Sequence, residues 1–449
     1  MTLNEDGVDE EKALQALRKI FCSGMSPSMT TENERFKEIL QMLAPELNVS
    51  IDRVGLKCLE VYEEEKAKRK RILSNLDGQW ILSFTRVGHQ SDDSPHDVIL
   101  KSLKDWGIEN KIATITVPNS SLYGETVAIV KDYISGKKEL QLDGRIFGVY
   151  CCSDIIEPEP SWYYKNNKIK EALILESAGE FSYRSRGSWY DKPSKKEWKK
   201  VDHINRLMDD IYDIVFPLFE IGYSTSNVYL HHLQELQAHL MRESTSSNKL
   251  LSSVMEKLLE TFGTYMKDMY LVLAIASVID PRYKMKYVEF STQKFGDTDG
   301  NSRAATVREA VRNLYKDYVK LESDSNDNSN LLREYTQFLQ STNQLKSELD
   351  SYLEEPVIEW SEDFNALSWW KAASSKYPTV SKMARDFLAI PISLATSDKA
   401  FYTQKREVDE CMVSLGRDLK NALMSLQSWF PKPKKIEGKL DASPLRTIW

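Results

Sequence analysis

Between about residues 196 and 322 apolar side chains recur at helical spacing almost without a break, and no other feature constrains the fold as strongly. VDHINRLMDDIYDIVFPLF (201–219), LLSSVMEKLLETFGTYM (250–266) and VREAVRNLYKDYV (307–319) each read as a helix with one apolar face. The polar run ESDSNDNSN (322–330) then reads as a linker. Residues 331–353 and 381–429 are helical again, separated by a Trp-rich, Pro-containing segment. Helices are also expected at 9–21, 32–43 and 51–73.

Only residues 78–155 depart from this pattern. WILSF (80–84), KIATITV (111–117) and RIFGVYCC (145–152) are strand-like, and VILKSLKDWG (98–107) reads as a helix stopped by Gly107. Strand, helix, strand order gives an α/β unit, although three strands make a thin sheet. The expected fold class is an α-rich α/β protein.

A net charge of −7, from 60 Lys+Arg against 67 Asp+Glu, carries no overall basic excess of the kind that dedicated nucleic-acid binders use to neutralise phosphates. Five cysteines without CxxC spacing suggest neither a disulfide framework nor a zinc knuckle. Charged residues from Glu5 to Lys12 argue against a signal peptide, and no uncharged stretch approaches eighteen apolar residues, so no membrane span is expected. The run KAKRKR (66–71) reads first as the solvated face of a helix and second as a nuclear-import patch. His231, His232 and His239 read as surface or core histidines, Cys151 and Cys152 as small strand-borne hydrophobes, and the acidic residues from Asp350 to Asp363 as a solvated rim. Trp369 and Trp370, followed by Tyr377, Pro378 and an apolar series through Leu388, carry more apolar area than one helix needs.

Three stretches carry a resemblance to a known family. ELDSYLEEP, then FNALSWWKAASSKYPTVSKMARDFLAIPISLATSD, between Glu348 and Asp398, is similar in order and spacing to the C-terminal dimerisation region of the hAT-superfamily transposases, in particular the plant Sleeper type. LVLAIASVIDPRYKMKYVEF (271–290), with PSKKEWKKVDHI (193–204) and STSNVYL (224–230), resembles the helical insertion domain of the plant proteins. YEEEKAKRKRILSNLDG (62–78) resembles the entry to their RNase H-like core.

The resemblance implies a truncated RNase H-like core, interrupted by an all-helical insertion, with a helical C-terminal segment that completes the core and dimerises. It divides the chain into an N-terminal helical region (1–75), the truncated core portion (76–190), the insertion (191–322), a linker and helix (323–347), the dimerisation region (348–430) and a tail (431–449). Active relatives hold two metal ions on three carboxylates, which clamp the attacking and leaving oxygens of an in-line phosphoryl transfer. In this sequence the first two strands of that core, with the first ligand, are missing after Asp77-Gly78. The second position reads ITVPNSSLYGE, placing Pro118 where an aspartate belongs, and the third is Asp398 in place of a glutamate. No catalysis, metal or other cofactor is expected.

The zinc finger at the amino terminus of full-length relatives needs paired Cys and His, and residues 1–60 hold two Cys and no His. Dimerisation is expected to rest on Leu349, Tyr352, Leu353, Trp369, Trp370, Tyr377, Pro378, Met383, Ala384, Phe387, Leu388, Ile390 and Pro391, buried between two chains of this protein or against a related hAT-type protein. Weak DNA contact in the nucleus is assigned to Lys66, Lys68, Arg69, Lys70 and Arg71, with Lys66, Arg69 and Lys70 near one helix face. The competing expectation is a protein-interaction module, or a decayed transposase fragment, without DNA binding.

Overall fold

A computed structural model describes residues 51–72, 82–83, 94–155, 225–245, 249–295, 300–325, 335, 338, 346–361, 364–393 and 416–429. The elements are α1 (Ile51–Ile72), α2 (Pro95–Trp106), β1 (Ile115–Val117), α3 (Ser121–Ser135), β2 (Gly148–Tyr150), α4 (Tyr229–Ser244), α5 (Lys249–Ile279), α6 (Lys284–Lys294), α7 (Gly300–Ser325), α8 (Glu348–Glu354), α9 (Ala366–Ala373), α10 (Pro378–Leu388) and α11 (Arg417–Trp429). This is a helix-rich protein with a small sheet. The helices expected at 9–21, 32–43 and 201–219 lie outside the described residues. Two compact units form, one from Met1–Ile112 with Lys399–Thr447 and one from Ala113–Asp398.

In the first unit α1 packs on α11, although the two are far apart in sequence. Tyr62 stacks on Trp429 at 5.4 Å between ring centroids, and Trp106 meets the same indole edge-on at 5.8 Å. The offset and edge-to-face geometries are those that ring quadrupoles favour. Helix α2 begins where its sequence signals it: the Ser94 hydroxyl accepts from the Asp97 amide at 3.2 Å, with Pro95 in the first turn. It ends at Gly107, whose φ of 66° closes a left-handed cap. The expected strand at 80–84 is described only at Leu82 and Ser83, which carry no strand, and the Leu82 carbonyl accepts from the Trp106 indole at 3.0 Å.

In the second unit β1 and β2 pair in parallel, Ile115 with Gly148, Thr116 with Val149 and Val117 with Tyr150. Both strands are shorter than the sequence runs that predicted them. Among the described residues each has one ladder neighbour, and residues 109–111 turn as a 3-10 helix before β1 begins. Helix α3, which the sequence reading did not pick out, makes the crossover between them. It lies so close that a Cβ on Gly148 would stand 2.5 Å from Val127 Cγ1.

The 31-residue helix α5 is the axis of this unit. It packs against α4, α6, α7 and α10, so Leu273 to Val278 are buried on every side. Its Met255–Ile279 stretch is long and apolar enough to cross a membrane by length and composition alone, and most of it is covered by the protein's own helices. The Trp-rich, Pro-containing stretch itself forms helix α9, and α10 starts three residues ahead of the helical run expected from 381. Asn365 caps α9, and Pro378 starts α10. Val380, Met383, Ala384, Phe387 and Leu388, at i, i+3, i+4, i+7 and i+8, turn the α10 stripe to the core.

Candidate functional site

The segment after α10 lies along the C-terminal ends of β1 and β2. Thr116 Oγ1 donates to the Pro391 carbonyl at 2.8 Å, and the Cys152 amide donates to the Ile392 carbonyl at 3.1 Å. Pro118, half-buried, follows directly on β1. At this strand end the Cys151 amide donates to the Val117 carbonyl at 2.9 Å, and the fully buried Cys151 sulfur stands 4.0 Å from the Ser393 hydroxyl. A thiol, a hydroxyl and a prolyl ring do not fit a pair of hard divalent cations, which take carboxylate oxygens. Among the described residues no group of three His, Cys, Asp or Glu side chains has the arrangement of a metal site. Asp398 lies outside the described residues.

The aromatic residues assigned to a dimer contact pack largely within the chain's own core. Trp370 is fully buried, and its Nε1 donates to the Ile279 carbonyl at 3.0 Å. Tyr352, also fully buried, donates to the carbonyls of Val278 at 3.0 Å and Ile279 at 2.8 Å. These carbonyls belong to the last turn of α5, which has no intrahelical donors left to meet them. Leu349, Tyr377, Met383, Ala384, Phe387, Leu388 and Ile390 are buried in the same core, while Leu353, Trp369 and Pro391 are half-buried and Pro378 is exposed. Glu348 of α8 accepts from the amides of Thr379 at 3.2 Å and Val380 at 2.6 Å, placing its carboxylate on the positive end of α10. The sequence signal was large apolar area. Its partner is α5, and spacing along the chain carries no information about which helix supplies the partner face.

The turn between α5 and α6, Asp280-Pro281-Arg282-Tyr283, organises the surface beside this core. Asp280 is fully buried and accepts from Asn227 Nδ2 at 2.5 Å, from the Arg282 amide at 2.8 Å and from the Arg282 guanidinium at 2.8 and 3.1 Å. The guanidinium lies 4.5 Å from the Trp360 ring and 4.7 Å from the Phe364 ring. Nothing in the isolated sequence motif marked Asp280 as the hub. Lys284, with a φ of 50°, donates from its ammonium to the carbonyls of Tyr352 at 2.6 Å and Glu355 at 2.9 Å, closing the C-terminal end of α8. Burial pulls its pKa down to about 8. His231 and His232 bracket Glu235, at 3.4 and 3.3 Å, and burial lowers both imidazoles.

The basic run of α1 is divided by its helix. Lys66 is buried and paired with Asp105 at 2.6 Å; burial opposes its charge, but the bond to Asp105 raises its pKa. Arg69 is buried, pairs with Glu65 and lies 4.8 Å over the Trp429 ring. The face expected to gather Lys66, Arg69 and Lys70 therefore turns two of its three cations into the α1, α2 and α11 packing. Lys68, Lys70 and Arg71 are exposed.

Residues 348–430 match the model of the hAT family C-terminal dimerisation region. Residues 227–318 match that of a hAT-like transposase with an RNase-H fold, and 54–146 that of the ZBED1 RNase-like domain. The second match falls on α4 to α7, the helices expected to form the insertion. The first is shared between the two units, since α8 to α10 lie in one and α11 in the other. Zinc finger BED domain-containing protein RICESLEEPER 2 of Oryza sativa subsp. japonica is 28% identical over 443 residues, covering 79% of this chain and 61% of that protein. RICESLEEPER 1 of the same plant is 25% identical, and DAYSLEEPER of Arabidopsis thaliana 24%, each over 94% of this chain and 74% of its own length. The chain thus spans roughly three fifths to three quarters of these relatives.

Proposed function

With Sleeper-type proteins derived from hAT transposases as this chain's homologues, we propose that it is a domesticated transposase-like protein that has given up strand transfer and acts as a self-associating nuclear factor with weak DNA contact. The observation that carries the loss of catalysis is Pro118. It occupies the end of β1 where the family pattern requires an aspartate, beside Cys151 and Ser393. A proline offers neither an oxygen ligand nor an amide donor there. In this reading α4 to α7 form the helical insertion of an RNase H-like core, and α8 to α10 return to complete that core.

DNA contact rests on Lys68, Lys70 and Arg71, the exposed remainder of the basic run. Three cations give phosphate contact without base readout, so the affinity is low and falls steeply with salt. Incubation with Mg²⁺ or Mn²⁺ and a transposon-end duplex leaves the DNA intact, and a gel-retardation series at defined salt shows weak retention that the triple Gln variant loses. Metal-dependent nicking overturns the non-catalytic reading. Retention absent even at low salt favours the pure interaction module.

A further inference from the structure

The buried Trp370 core leaves open which surface of the dimerisation region meets a partner. Among the described residues of 348–393, only Val357 and Trp360 are large hydrophobic side chains exposed to solvent, at 41% and 50%. They lie on the extended segment 355–361, held at its middle by the Ile358 amide donating to the Pro281 carbonyl at 3.0 Å and at its ends by the Glu355 carbonyl accepting from Lys284 and the Ser361 carbonyl accepting from the Phe364 amide and Arg282. One face of the Trp360 ring rests on the Arg282 guanidinium, itself locked by Asp280, so the indole is held rigidly while half of it stays in water. Beneath it the buried ring of Tyr283, at 5.7 Å, and the half-buried ring of Tyr287 connect it to Phe290, which is 53% exposed.

We infer that this ridge, from Val357 and Trp360 to Phe290, is the contact by which the chain pairs with a second copy of itself. The inference rests on the self-association proposed above and locates its surface. Three observations point to a second copy over an unrelated partner. The exposed anchors belong to the segment matching the hAT dimerisation region. A rigid, partly exposed Trp loses little freedom on docking, the property of an interface hot spot. The ridge is also flanked by opposite charges. Glu359 lies exposed on the extended segment, and Lys286 and Lys294 lie exposed on α6. A twofold axis through the ridge sets the acidic flank of one copy against the basic flank of the other, as an isologous contact demands.

The test is sedimentation velocity of the full chain at tens of micromolar, with Val357→Glu, Trp360→Glu and Phe290→Glu made separately and thermal melts run in parallel. Val357→Glu keeps the parent's melting temperature, Trp360→Glu lowers it by the lost stacking on Arg282, and in every variant that remains folded the mass falls from dimer to monomer. Phe290 lies outside the dimerisation match, so its loss of pairing separates this ridge from any other contact made by that region. Parent dimers that persist in all three variants overturn the ridge and leave self-association standing. A parent chain that is monomeric overturns both.

Discussion

Lys284 donates its ammonium protons to the carbonyl oxygen of Tyr352 at 2.6 Å, with the same nitrogen 4.5 Å from the centroid of the Tyr352 ring. The residue that closes α8 from outside thus also braces the tyrosine that closes α5. Lys284→Met leaves the Tyr352 and Glu355 carbonyls without their donor, which costs on the order of 1–3 kcal/mol. The melting temperature of the second unit is expected to drop by several degrees. Because burial holds the folded pKa near 8, against 10.5 ordinarily, the unfolded chain binds a proton between those values that the folded chain does not. This group's contribution therefore becomes more favourable as pH rises from about 8 towards 10. Melts of parent and Lys284→Met across that window read the difference; parallel curves contradict it.

Trp370→Ala is expected to unfold the second unit and not to dissociate a folded dimer. Removing a fully buried indole costs about 3–5 kcal/mol, and the Ile279 carbonyl loses one of its two donors. Denaturant unfolding measures the loss. A Trp370→Ala chain with parental stability and half the parental mass restores the intermolecular reading.

Gly148→Ala inserts a methyl group 2.5 Å from Val127 Cγ1, inside the β1–α3–β2 crossover. Overpacking of this kind costs about 1–3 kcal/mol. Val127→Ala in the same chain relieves the clash, so the pair is less damaging than the two single losses added together. Additive losses in a double-mutant cycle would show that the crossover adjusts by another route.

His231 and His232 carry an acid sensitivity. Burial lowers both, with Arg282 and Lys294 opposing protonation of His231, His231 opposing that of His232, and Glu235 favouring charge on each. The folded protein keeps them neutral at a pH where the unfolded chain, at about 6.5, already takes up protons. Stability supplied by the neutral pair is present above pH 6.5 and declines as the pH falls below it. Replacing both with Gln flattens that part of the melting curve between pH 7 and 5; an unchanged slope rules the pair out as its source.

The features legible in the sequence were those written in local chemistry. Gly107 announced the end of α2 by being the residue that accepts a positive φ, and the apolar stripe of α10 follows from spacing alone. The sheet was harder. KIATITV and RIFGVYCC have strand composition along their whole length, but pairing lasts only where a neighbour is present, and the neighbours are three residues long. Lys66 and Arg69 were misplaced for a related reason: a helical projection shows which cations share a face, and not that Trp429 and Asp105 wait opposite that face. Pro118 was legible only through a family resemblance, because a proline after a strand is unremarkable without one.

The carbonyls at the end of α5 have a timing consequence. Ile279 receives its donors from Tyr352 and Trp370, 73 and 91 positions later in the chain. During synthesis at about 5–20 residues per second, the core helix therefore emerges with an unfinished end for roughly 5–20 s. Over that interval α5 lacks the α10 surface that later packs against it. A premature stop anywhere before Trp370 leaves that side of α5 permanently open, so truncated products of this chain are expected to go to chaperones and proteases and not to accumulate as a stable shorter protein.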